Sequence, residues 1–431
     1  MYFYGNLSSF MSNEIFHKVI LDQKEEIALS KKETLVSREF EHFVNIESQL
    51  AQIIIGVRRS GKSTLAHQVC RDLNYAYLNF DDERLMDCSQ EDLNLLLELL
   101  FQEYGDFKYL ILDEIQNING WSLFINRLLR AKLHIIVTGS NSKLLNVELA
   151  SHMTGRFSTT ELFPFSFREF LEFRKFQLAS GTTKETGILN SLFREYCKTG
   201  GFPEVLRGEL AESYITDLFN AIVTRDIVFR HNIKYVRTFR DIARFLVNNY
   251  STELSFNRIK TIFELGSENT AKLYVSYLEE AYLILTLPKF SFKKQEQLRY
   301  RKVYTIDPGF ISVLSDEFAE NTGRILENIV FLELRRKAIL MNYEIFYYKK
   351  QFEIDFVIFS KGKVNELIQV SISLLDKKTL NREVRALVLA SNELKPKKLR
   401  IITENEEFTI EQDDQQIEVI PVLKWLLSEQ F

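Results

Sequence analysis

The sequence contains few of the residues that stabilise secreted or membrane proteins. Of its 431 residues only three are cysteines, Cys70, Cys88 and Cys197, which are too few and too scattered for a disulfide framework or a zinc site. Six prolines and sixteen glycines leave no long linker or low-complexity segment. The N-terminus lacks a basic stretch followed by an apolar core, and no run of about eighteen apolar residues occurs. We therefore expect a cytoplasmic protein without exported or membrane-spanning segments.

The overall composition is that of an ordinary globular protein. Hydrophobic residues make up 45% and charged residues 26% of the chain, which is typical of folded soluble domains. The length predicts about two to four domains. A net charge of −4 argues against a globally basic nucleic-acid binder, but it leaves a local basic surface open.

A phosphate loop is the most informative motif of the chain. Residues 56–63 read Gly-Val-Arg-Arg-Ser-Gly-Lys-Ser, which is a complete G-x-x-x-x-G-K-[ST] pattern. The apolar run 51–55 before it has the β-branched composition of a buried strand, and residues 64–69 after it favour a helix. This context predicts that a nucleoside triphosphate binds here.

The residue types of the loop suit a polyphosphate. Its glycines let backbone N–H groups surround the anion, Lys62 places a positive charge on the β- and γ-oxygens, and Ser63 can ligate Mg²⁺. The two loop arginines are expected to contact base, ribose or a neighbouring segment. The predicted nucleotide-binding residues are Gly56, Arg58, Arg59, Ser60, Gly61, Lys62, Ser63 and Thr64.

A second strand supplies acidic residues. Residues 107–112 are largely apolar and end in Asp113 and Glu114. Asp113 suits a water-mediated role on Mg²⁺, and Glu114 is placed to polarise an attacking water; the alternative is an exposed acidic turn. A further predicted strand, residues 75–80, lies between the loop strand and this acidic strand, an arrangement typical of NTPases that carry their own catalytic glutamate.

The fourth predicted strand, residues 133–138, ends in Gly-Ser-Asn-Ser. Because parallel strands deliver ligand-facing groups at their carboxyl ends, Ser140 or Asn141 could lie between Glu114 and the γ-phosphate as a sensor. Taken alone, the same four residues also fit an ordinary turn.

Two arginines are candidates for stabilising charge on the transferred phosphate. Arg156 follows the sensor strand closely and is the first choice, while Arg225 is the second. Either one could reach the site from the same chain or from a neighbouring chain, so a homo-oligomer is possible. Most arginines on such a chain form surface ion pairs instead.

A helix-turn-helix spacing follows between residues 241 and 314. Helices are predicted at 242–250, 255–263 and 269–283, and strands at 284–287 and 302–306. We call residues 289–302 the basic segment, because it holds one acid, Glu296, and six basic residues: Lys289, Lys293, Lys294, Arg299, Arg301 and Lys302.

The basic segment could lie along a phosphate backbone. The predicted contacts to nucleic acid are Lys293, Lys294, Arg299 and Arg301. The would-be recognition helix carries mixed charge, so a protein-docking role is weighed equally with DNA binding.

Several motifs together resemble one protein family. They are Gly-Val-Arg-Arg-Ser-Gly-Lys-Ser-Thr, Leu-Asp-Glu-Ile-Gln, Thr-Gly-Ser-Asn-Ser, Gly155-Arg156, Pro-Phe-Ser-Phe-Arg-Glu-Phe from residue 164 and Gly-Gly-Phe-Pro-Glu from residue 200. From residue 25 to about residue 376, the chain resembles the prokaryotic AAA+-type ATP-binding proteins that carry an uncharacterised C-terminal domain.

The resemblance implies an α/β fold and ATP as the nucleotide. The implied core is a parallel-sheet P-loop ATPase of the ASCE type, at residues 1–163 with an N-terminal lead-in. A helical lid (164–240), a winged-helix-like domain (241–323) and a domain similar to PD-(D/E)xK nucleases (324–431) would follow. The implied cofactors are ATP and Mg²⁺, and the family resemblance names no substrate.

The nuclease-like region departs from the nuclease pattern. A helix glutamate and a strand aspartate match Glu327 and Asp355, but the position of the Glu-x-Lys motif reads Gln369-Val370-Ser371. A neutral amide binds a hard cation less well than a carboxylate does, and serine lacks the charge of lysine. We therefore expect a vestigial site without nuclease activity, in which Lys377 and Lys378 are poor substitutes for the missing lysine.

Two functions follow from these observations. The leading hypothesis is an ATPase that couples its nucleotide state to the binding of DNA or a protein by the C-terminal modules. The alternative is a metal-dependent nuclease gated by ATP.

Overall fold

The structure, a computed structural model, describes residues 2–30, 35–140, 153, 155–177, 181–208, 210–315 and 322–428. Asn141, one of the two sensor candidates, lies outside these residues. The chain divides into two compact units, residues 1–163 with 280–282, and residues 164–279 with 283–431. The boundaries at 240 and 323 stay predictions.

The first unit is built on a five-stranded parallel sheet. Its strands are β1 (Ala51–Ile55), β2 (Tyr75–Asn79), β3 (Tyr109–Asp113), β4 (His134–Gly139) and β5 (Phe157–Glu161). Its helices are α1 (Tyr2–Ser30), α2 (Lys62–Val69), α3 (Leu93–Tyr104) and α4 (Trp121–Arg130). Every residue of β1 is buried, as expected of a central parallel strand covered on both faces. The predicted α/β fold with a parallel P-loop sheet is confirmed.

The order of strands in the sheet is β2, β3, β4, β1, β5. The strand that separates β1 from β3 is therefore β4, while β2 is an edge strand. The sequence interpretation, which took residues 75–80 as the inserted strand, was wrong on this point. Order along the chain does not give order in a sheet whose connections cross over, and α3 joins β2 to its neighbour β3 by such a crossover.

Helix α1 packs against this edge of the sheet. The side-chain amide of Gln23 donates to the carbonyl oxygen of Asn79 at 3.1 Å, and its oxygen accepts from the N–H of Asn79 at 2.9 Å. Gln23 is only 3% exposed. The N-terminal lead-in is therefore a structural part of the first unit.

The second unit begins with helices and a small sheet. Its helices are α5 (Phe167–Phe173), α6 (Thr183–Thr199), α7 (Pro203–Leu206), α8 (Ala211–Ala221), α9 (Val236–Asn248), α10 (Phe256–Ile262), α11 (Glu268–Glu280), α12 (Lys294–Arg299) and α13 (Pro308–Leu314). Helix α8 continues as a π-helix, Ile222–Phe229. Three antiparallel strands form the small sheet: β6 (Thr252–Glu253), β7 (Ile284–Pro288) and β8 (Arg301–Thr305).

A mixed six-stranded sheet forms the rest of the second unit, in the order β13, β14, β12, β11, β10, β9. The strands are β9 (Glu344–Lys349), β10 (Glu353–Ser360), β11 (Lys363–Val370), β12 (Lys398–Thr403), β13 (Phe408–Gln412) and β14 (Gln415–Pro421). The helices are α14 (Thr322–Met341), α15 (Lys377–Leu394) and α16 (Val422–Leu427). Apolar residues of α15, among them Leu387, form a core with sheet residues such as Leu367 and Ile401.

Among the helices that the structure describes, none combines the length and apolarity needed to cross a membrane.

Gly56 tests how tightly the first unit is packed. Its φ is +152°, and a Cβ added there would lie 2.1 Å from the carbonyl oxygen of Leu162. We expect Gly56→Ala to lower the free energy of unfolding of the first unit by about 3 kcal/mol, because overpacking adds to backbone strain. Urea unfolding followed by circular dichroism measures this loss.

Gly105→Ala is the matched control. Gly105 has a φ of +71°, but its added Cβ would meet no atom within 4 Å among the described residues. Backbone strain alone should cost about 2 kcal/mol there, because a φ of +71° with a ψ of −152° is adopted almost only by glycine; Gly56→Ala should lose more because its steric clash adds to the strain. Equal losses in the two variants would contradict the packing argument.

Candidate active site

The phosphate loop connects the end of β1 to the start of α2. Gly61 has a φ of +92° and immediately precedes the first residue of α2, so the free N–H groups of the first helical turn face the loop. Lys62 is buried; its Nζ donates to the carbonyl oxygen of Val57 at 3.1 Å and lies 3.8 Å from Oε1 of Glu114. The predicted lysine and glutamate are therefore neighbours.

The loop has the features of an anion cradle. Ser60 is completely buried, and its Oγ has no hydrogen-bond partner among the described residues. A buried hydroxyl without a partner is costly unless a ligand or water satisfies it. An anion surrounded by the loop N–H groups would accept a hydrogen bond from this hydroxyl, and the phosphates of the predicted nucleoside triphosphate are such an anion.

The other loop residues differ in their surroundings. Arg59 and Thr64 are exposed. Arg58 is half-buried, and its Nη1 lies 3.6 Å from Oδ2 of Asp81. Of the alternatives for Arg58, this contact favours a neighbouring segment.

Asp113 is the buried acid at the end of β3. Its carboxylate accepts hydrogen bonds from Tyr77 Oη at 2.9 Å and from Thr138 Oγ1. Burial, followed by the charge of Glu114, raises the pKa of Asp113, whereas hydrogen bonds from Ser63, Thr138 and Tyr77 act to lower it. The bond from Ser63 brings the two predicted Mg²⁺ ligands together.

Glu114 follows directly in a left-handed conformation, with a φ of +51°. Its Oε2 accepts from Ser140 Oγ at 3.1 Å, from the N–H of Ser140 at 3.3 Å and from Nε2 of Gln116. Burial acts to raise the pKa of Glu114, but Lys62, Gln116, Arg58 and Ser140 outweigh burial and hold the pKa below its ordinary value. The carboxylate is therefore ionised at neutral pH, as a general base must be.

Three side chains around the acids were not predicted: Tyr77, Gln116 and Thr138. Thr138 lies on β4 two residues before Ser140, which directly follows that strand, and side chains two residues apart along an extended chain point to the same side; this periodicity could have identified Thr138. Tyr77 comes from β2 on the other side of β3. Its role could not be inferred without the order of the strands.

Arg38 was also missed. It is 6% exposed; its Nη1 donates to the carbonyl oxygen of Ser60 at 2.9 Å, and its Nη2 donates to that of Phe163 at 2.6 Å. The guanidinium thus holds the phosphate loop against the chain that follows β5. No sequence pattern marks this arginine, because its partners are backbone carbonyls distant in sequence.

The two arginines that were candidates for stabilising charge on the transferred phosphate differ in position from the residues described above. Arg156 is exposed and directly precedes β5, and its carbonyl oxygen accepts from the N–H of Ala51 at 3.0 Å. Since β5 runs parallel to β1, Arg156 lies at the N-terminal end of these strands, whereas the phosphate loop lies at their C-terminal end. Its predicted role within the same chain is therefore not supported, and a role in a neighbouring chain stays a prediction. Arg225 lies exposed on the π-helix of the second unit, and its role stays a prediction.

The predicted vestigial nuclease residues meet around a lysine that was assigned to the basic segment. Nζ of Lys302 lies 3.1 Å from Oε1 of Glu327, 3.4 Å from Oδ1 of Asp355 and 2.7 Å from Oε1 of Glu353. Lys302 is 2% exposed, so its inclusion among residues that could face a phosphate backbone was wrong. Burial raises the pKa of Glu327 to about 7.

Gln369 is held in a different way. Its Oε1 accepts from the N–H of Asp355 at 2.8 Å, and its Nε2 donates to Glu383 Oε2 at 2.7 Å and to the carbonyl oxygen of Glu353 at 3.0 Å. The amide therefore braces the cluster through hydrogen bonds. Within the described residues, no group of three or more histidine, cysteine, aspartate or glutamate side chains is arranged to hold a metal ion.

The predicted nucleic-acid contacts also differ from one another. Lys293, Lys294 and Arg299 are exposed on or beside α12. Arg301 is half-buried, with Nη1 at 3.4 Å from Oε1 of Glu279 and 3.2 Å from Oγ1 of Thr286. Its charge is paired internally, which does not favour a phosphate contact.

Three family models match this chain. Residues 48–171 match an AAA domain, residues 190–321 a domain of unknown function (DUF8612) and residues 322–425 a domain of unknown function (DUF4143). The first match covers the phosphate loop and both acids at the end of β3.

Solved structures resemble the chain only loosely. The Aeropyrum pernix ORC2 protein in its ADP form is 13% identical, covers 59% of this chain and 88% of that chain, and gives a TM-score of 0.32. The replication initiator DnaA bound to AMPPCP and single-stranded DNA is 18% identical, covers 57% of this chain and 90% of that chain, and gives a TM-score of 0.26. Superpositions this loose carry no argument about function.

Two relatives that align over most of the chain identify its family. An uncharacterized protein of Haemophilus influenzae is 29% identical over 89% of this chain and 95% of that protein. The uncharacterized protein MJ1544 of Methanocaldococcus jannaschii is 36% identical over 98% of this chain and 97% of that protein. The chain therefore belongs to the same family as MJ1544, and residues 48–171 are its AAA-type ATP-binding domain.

Proposed function

We propose that this protein is a magnesium-dependent ATPase whose nucleotide state controls the binding of a partner by its second unit. The observation that carries the proposal is that side chains of the phosphate loop contact the two acids at the end of β3. Ser63 donates a hydrogen bond to Asp113, and Nζ of Lys62 lies 3.8 Å from Oε1 of Glu114. Hydrolysis needs these four side chains in one place.

Each of these side chains has a distinct role in the proposal. The loop N–H groups and Lys62 would hold the triphosphate, while Ser63 and Asp113 would hold the metal. Bound Mg²⁺ would neutralise charge that develops on the phosphate oxygens. Glu114, ionised and oriented by Ser140 and Gln116, orients the attacking water and accepts its proton.

For the partner we propose nucleic acid. In the second unit the helix pair α10 and α11 is followed by the antiparallel strands β7 and β8, which supports a winged helix. Phe292, in the basic segment, is 84% exposed. An exposed aromatic ring beside lysines is the arrangement that stacks on a base while the lysines attract the backbone.

A cavity lies beside that ring. Its volume is about 260 Å³, and the charged residues that line it are four lysines and two glutamates: Lys289, Lys293, Lys349, Lys350, Glu296 and Glu393. Lys293, Lys349 and Lys350 form ion pairs with Glu296, Glu353 and Glu393, so Lys289 is the lining lysine that favours an anionic ligand such as a phosphate of nucleic acid. A nuclease activity is not proposed, because Lys302 fills the acidic cluster.

The ATPase proposal predicts three distinct kinetic behaviours. Wild type should release phosphate from Mg-ATP, Lys62→Ala should bind ATP poorly, and Glu114→Gln should bind ATP but turn over at least about 100-fold more slowly, the usual contribution of a general base. Calorimetry for binding and a phosphate-release assay for turnover measure these effects.

The exposed acid Glu83 supplies the control, and Glu83→Gln should turn over as wild type does. Chelation of the metal should stop turnover in every active variant. Equal turnover in wild type, Lys62→Ala and Glu114→Gln would rule out the proposed site.

Arg38→Ala should weaken ATP binding. The variant loses two charge-assisted hydrogen bonds that hold the loop, so we expect the Kd for ATP to rise at least about tenfold. Exposed Arg71 provides a control, Arg71→Ala, with unchanged affinity. An unaltered Kd in a folded Arg38→Ala protein would show that the loop does not need this brace.

Phe292→Ala tests the nucleic-acid proposal. Loss of one stacking contact is worth about 1 to 3 kcal/mol, so the Kd for a fluorescein-labelled single-stranded oligonucleotide should rise about 5- to 150-fold in anisotropy titrations. The control is Phe229→Ala, because Phe229 is 79% exposed but lies outside the basic segment. If wild type does not bind the oligonucleotide and binds an acidic peptide instead, the partner is a protein.

A further inference from the structure

A buried cation fills the acidic cluster of the second unit. Strand β8 contributes Lys302, helix α14 contributes Glu327, and strand β10 contributes Glu353 and Asp355. The side chain of Lys302 is 2% exposed, and those of Glu327 and Asp355 are 13% and 15% exposed. The cluster therefore joins one charged group of the small sheet to three of the nuclease-like region.

The geometry suits an ammonium group. An ammonium carries three N–H donors, and Lys302 Nζ meets three carboxylate oxygens at 2.7, 3.1 and 3.4 Å. The two shorter separations are hydrogen-bond lengths, whereas Mg²⁺ requires oxygens at about 2.0 to 2.1 Å. The position central to the three carboxylates is already taken by Nζ.

Neighbouring groups fix this arrangement. Tyr304 Oη donates to Oε1 of Glu327 at 2.8 Å, and the N–H of Val370 donates to Oδ2 of Asp355 at 2.9 Å. These donors satisfy lone pairs that a metal ion would otherwise use. The amide of Gln369 stands where the nuclease pattern has a carboxylate, and its hydrogen bonds to Asp355 and Glu383 occupy both of its polar atoms.

We propose that Nζ of Lys302 is a built-in cation that takes the place of a divalent metal at the Glu327, Glu353 and Asp355 cluster. The C-terminal region is then a metal-free relative of a nuclease centre, and the cluster fastens the small sheet to the mixed sheet. This inference goes beyond the ATPase proposal and does not depend on it.

The cluster predicts a specific loss of stability. Removing one partner of a buried ion pair leaves uncompensated charge, which is strongly destabilising. We expect Lys302→Ala in the full chain, without nucleotide, to lower the Tm of the second unit by about 10 °C. The matched control is Lys349→Ala, because Lys349 also lies 3.1 Å from a carboxylate oxygen of Glu353 but is 41% exposed; its Tm should change by about 2 °C or less.

Added Mn²⁺ distinguishes a built-in cation from an ordinary ion pair. Mn²⁺ should leave the Tm of the second unit unchanged in wild type, but it should raise the Tm of that unit in Lys302→Ala, because three carboxylates have lost their counter-ion. The second substitution Asp355→Ala should abolish that rise. Equal Tm values for Lys302→Ala and Lys349→Ala would overturn the proposal, and so would a Lys302→Ala protein that does not respond to Mn²⁺.

A second measurement keeps the test decisive if Lys302→Ala does not fold. Wild type and Asp355→Asn are titrated with Mn²⁺ by electron paramagnetic resonance and incubated with plasmid, single-stranded DNA and RNA. Equal Mn²⁺ binding and no cleavage support the proposal. Mn²⁺ binding or cleavage that wild type shows and Asp355→Asn lacks would mean that the cluster is a metal site.

Discussion

The first unit depends on hydrogen-bond donors around the carboxylate of Asp113, which is only 2% exposed. Tyr77 comes from β2, Thr138 from β4 and Ser63 from α2, so each donor belongs to a different element around β3. A buried carboxylate without partners would cost several kcal/mol. The order of the strands, the start of α2 and the position of the phosphate loop are all constrained by this requirement.

The pKa of the neighbouring acid, Glu114, is shifted in the opposite direction. Burial and Glu114 raise the pKa of Asp113, while Lys62 and the polar groups around Glu114 lower that of Glu114. Two adjacent carboxyl groups with opposite shifts can divide their tasks, one holding a metal and one accepting a proton. The two acids differ because of their places in the chain: Asp113 is the last residue of the buried strand β3, and Glu114 is the first residue of the turn after it.

The sequence was sufficient to predict the parts of the site that lie close together along the chain. The loop and the pair of acids form contiguous motifs, and each follows an apolar strand that sets its position. Arg38 could not be found, because it bonds to backbone carbonyls that any residue type supplies. The burial of Lys302 could not be predicted for another reason. Successive residues of a strand point to opposite faces, so Arg301 and Lys302 are both basic and adjacent in sequence but lie in different environments.

The contact between Gln23 and Asn79 has a consequence for how the molecule meets other chains. A side-chain amide presents one donor and one acceptor, as a peptide group does, and here it engages both backbone polar groups at the last residue of β2. Exposed borders of β-sheets invite strands from other molecules to add. At this border a glutamine already takes the place of an incoming strand at Asn79, so sheet-to-sheet aggregation is discouraged at that point.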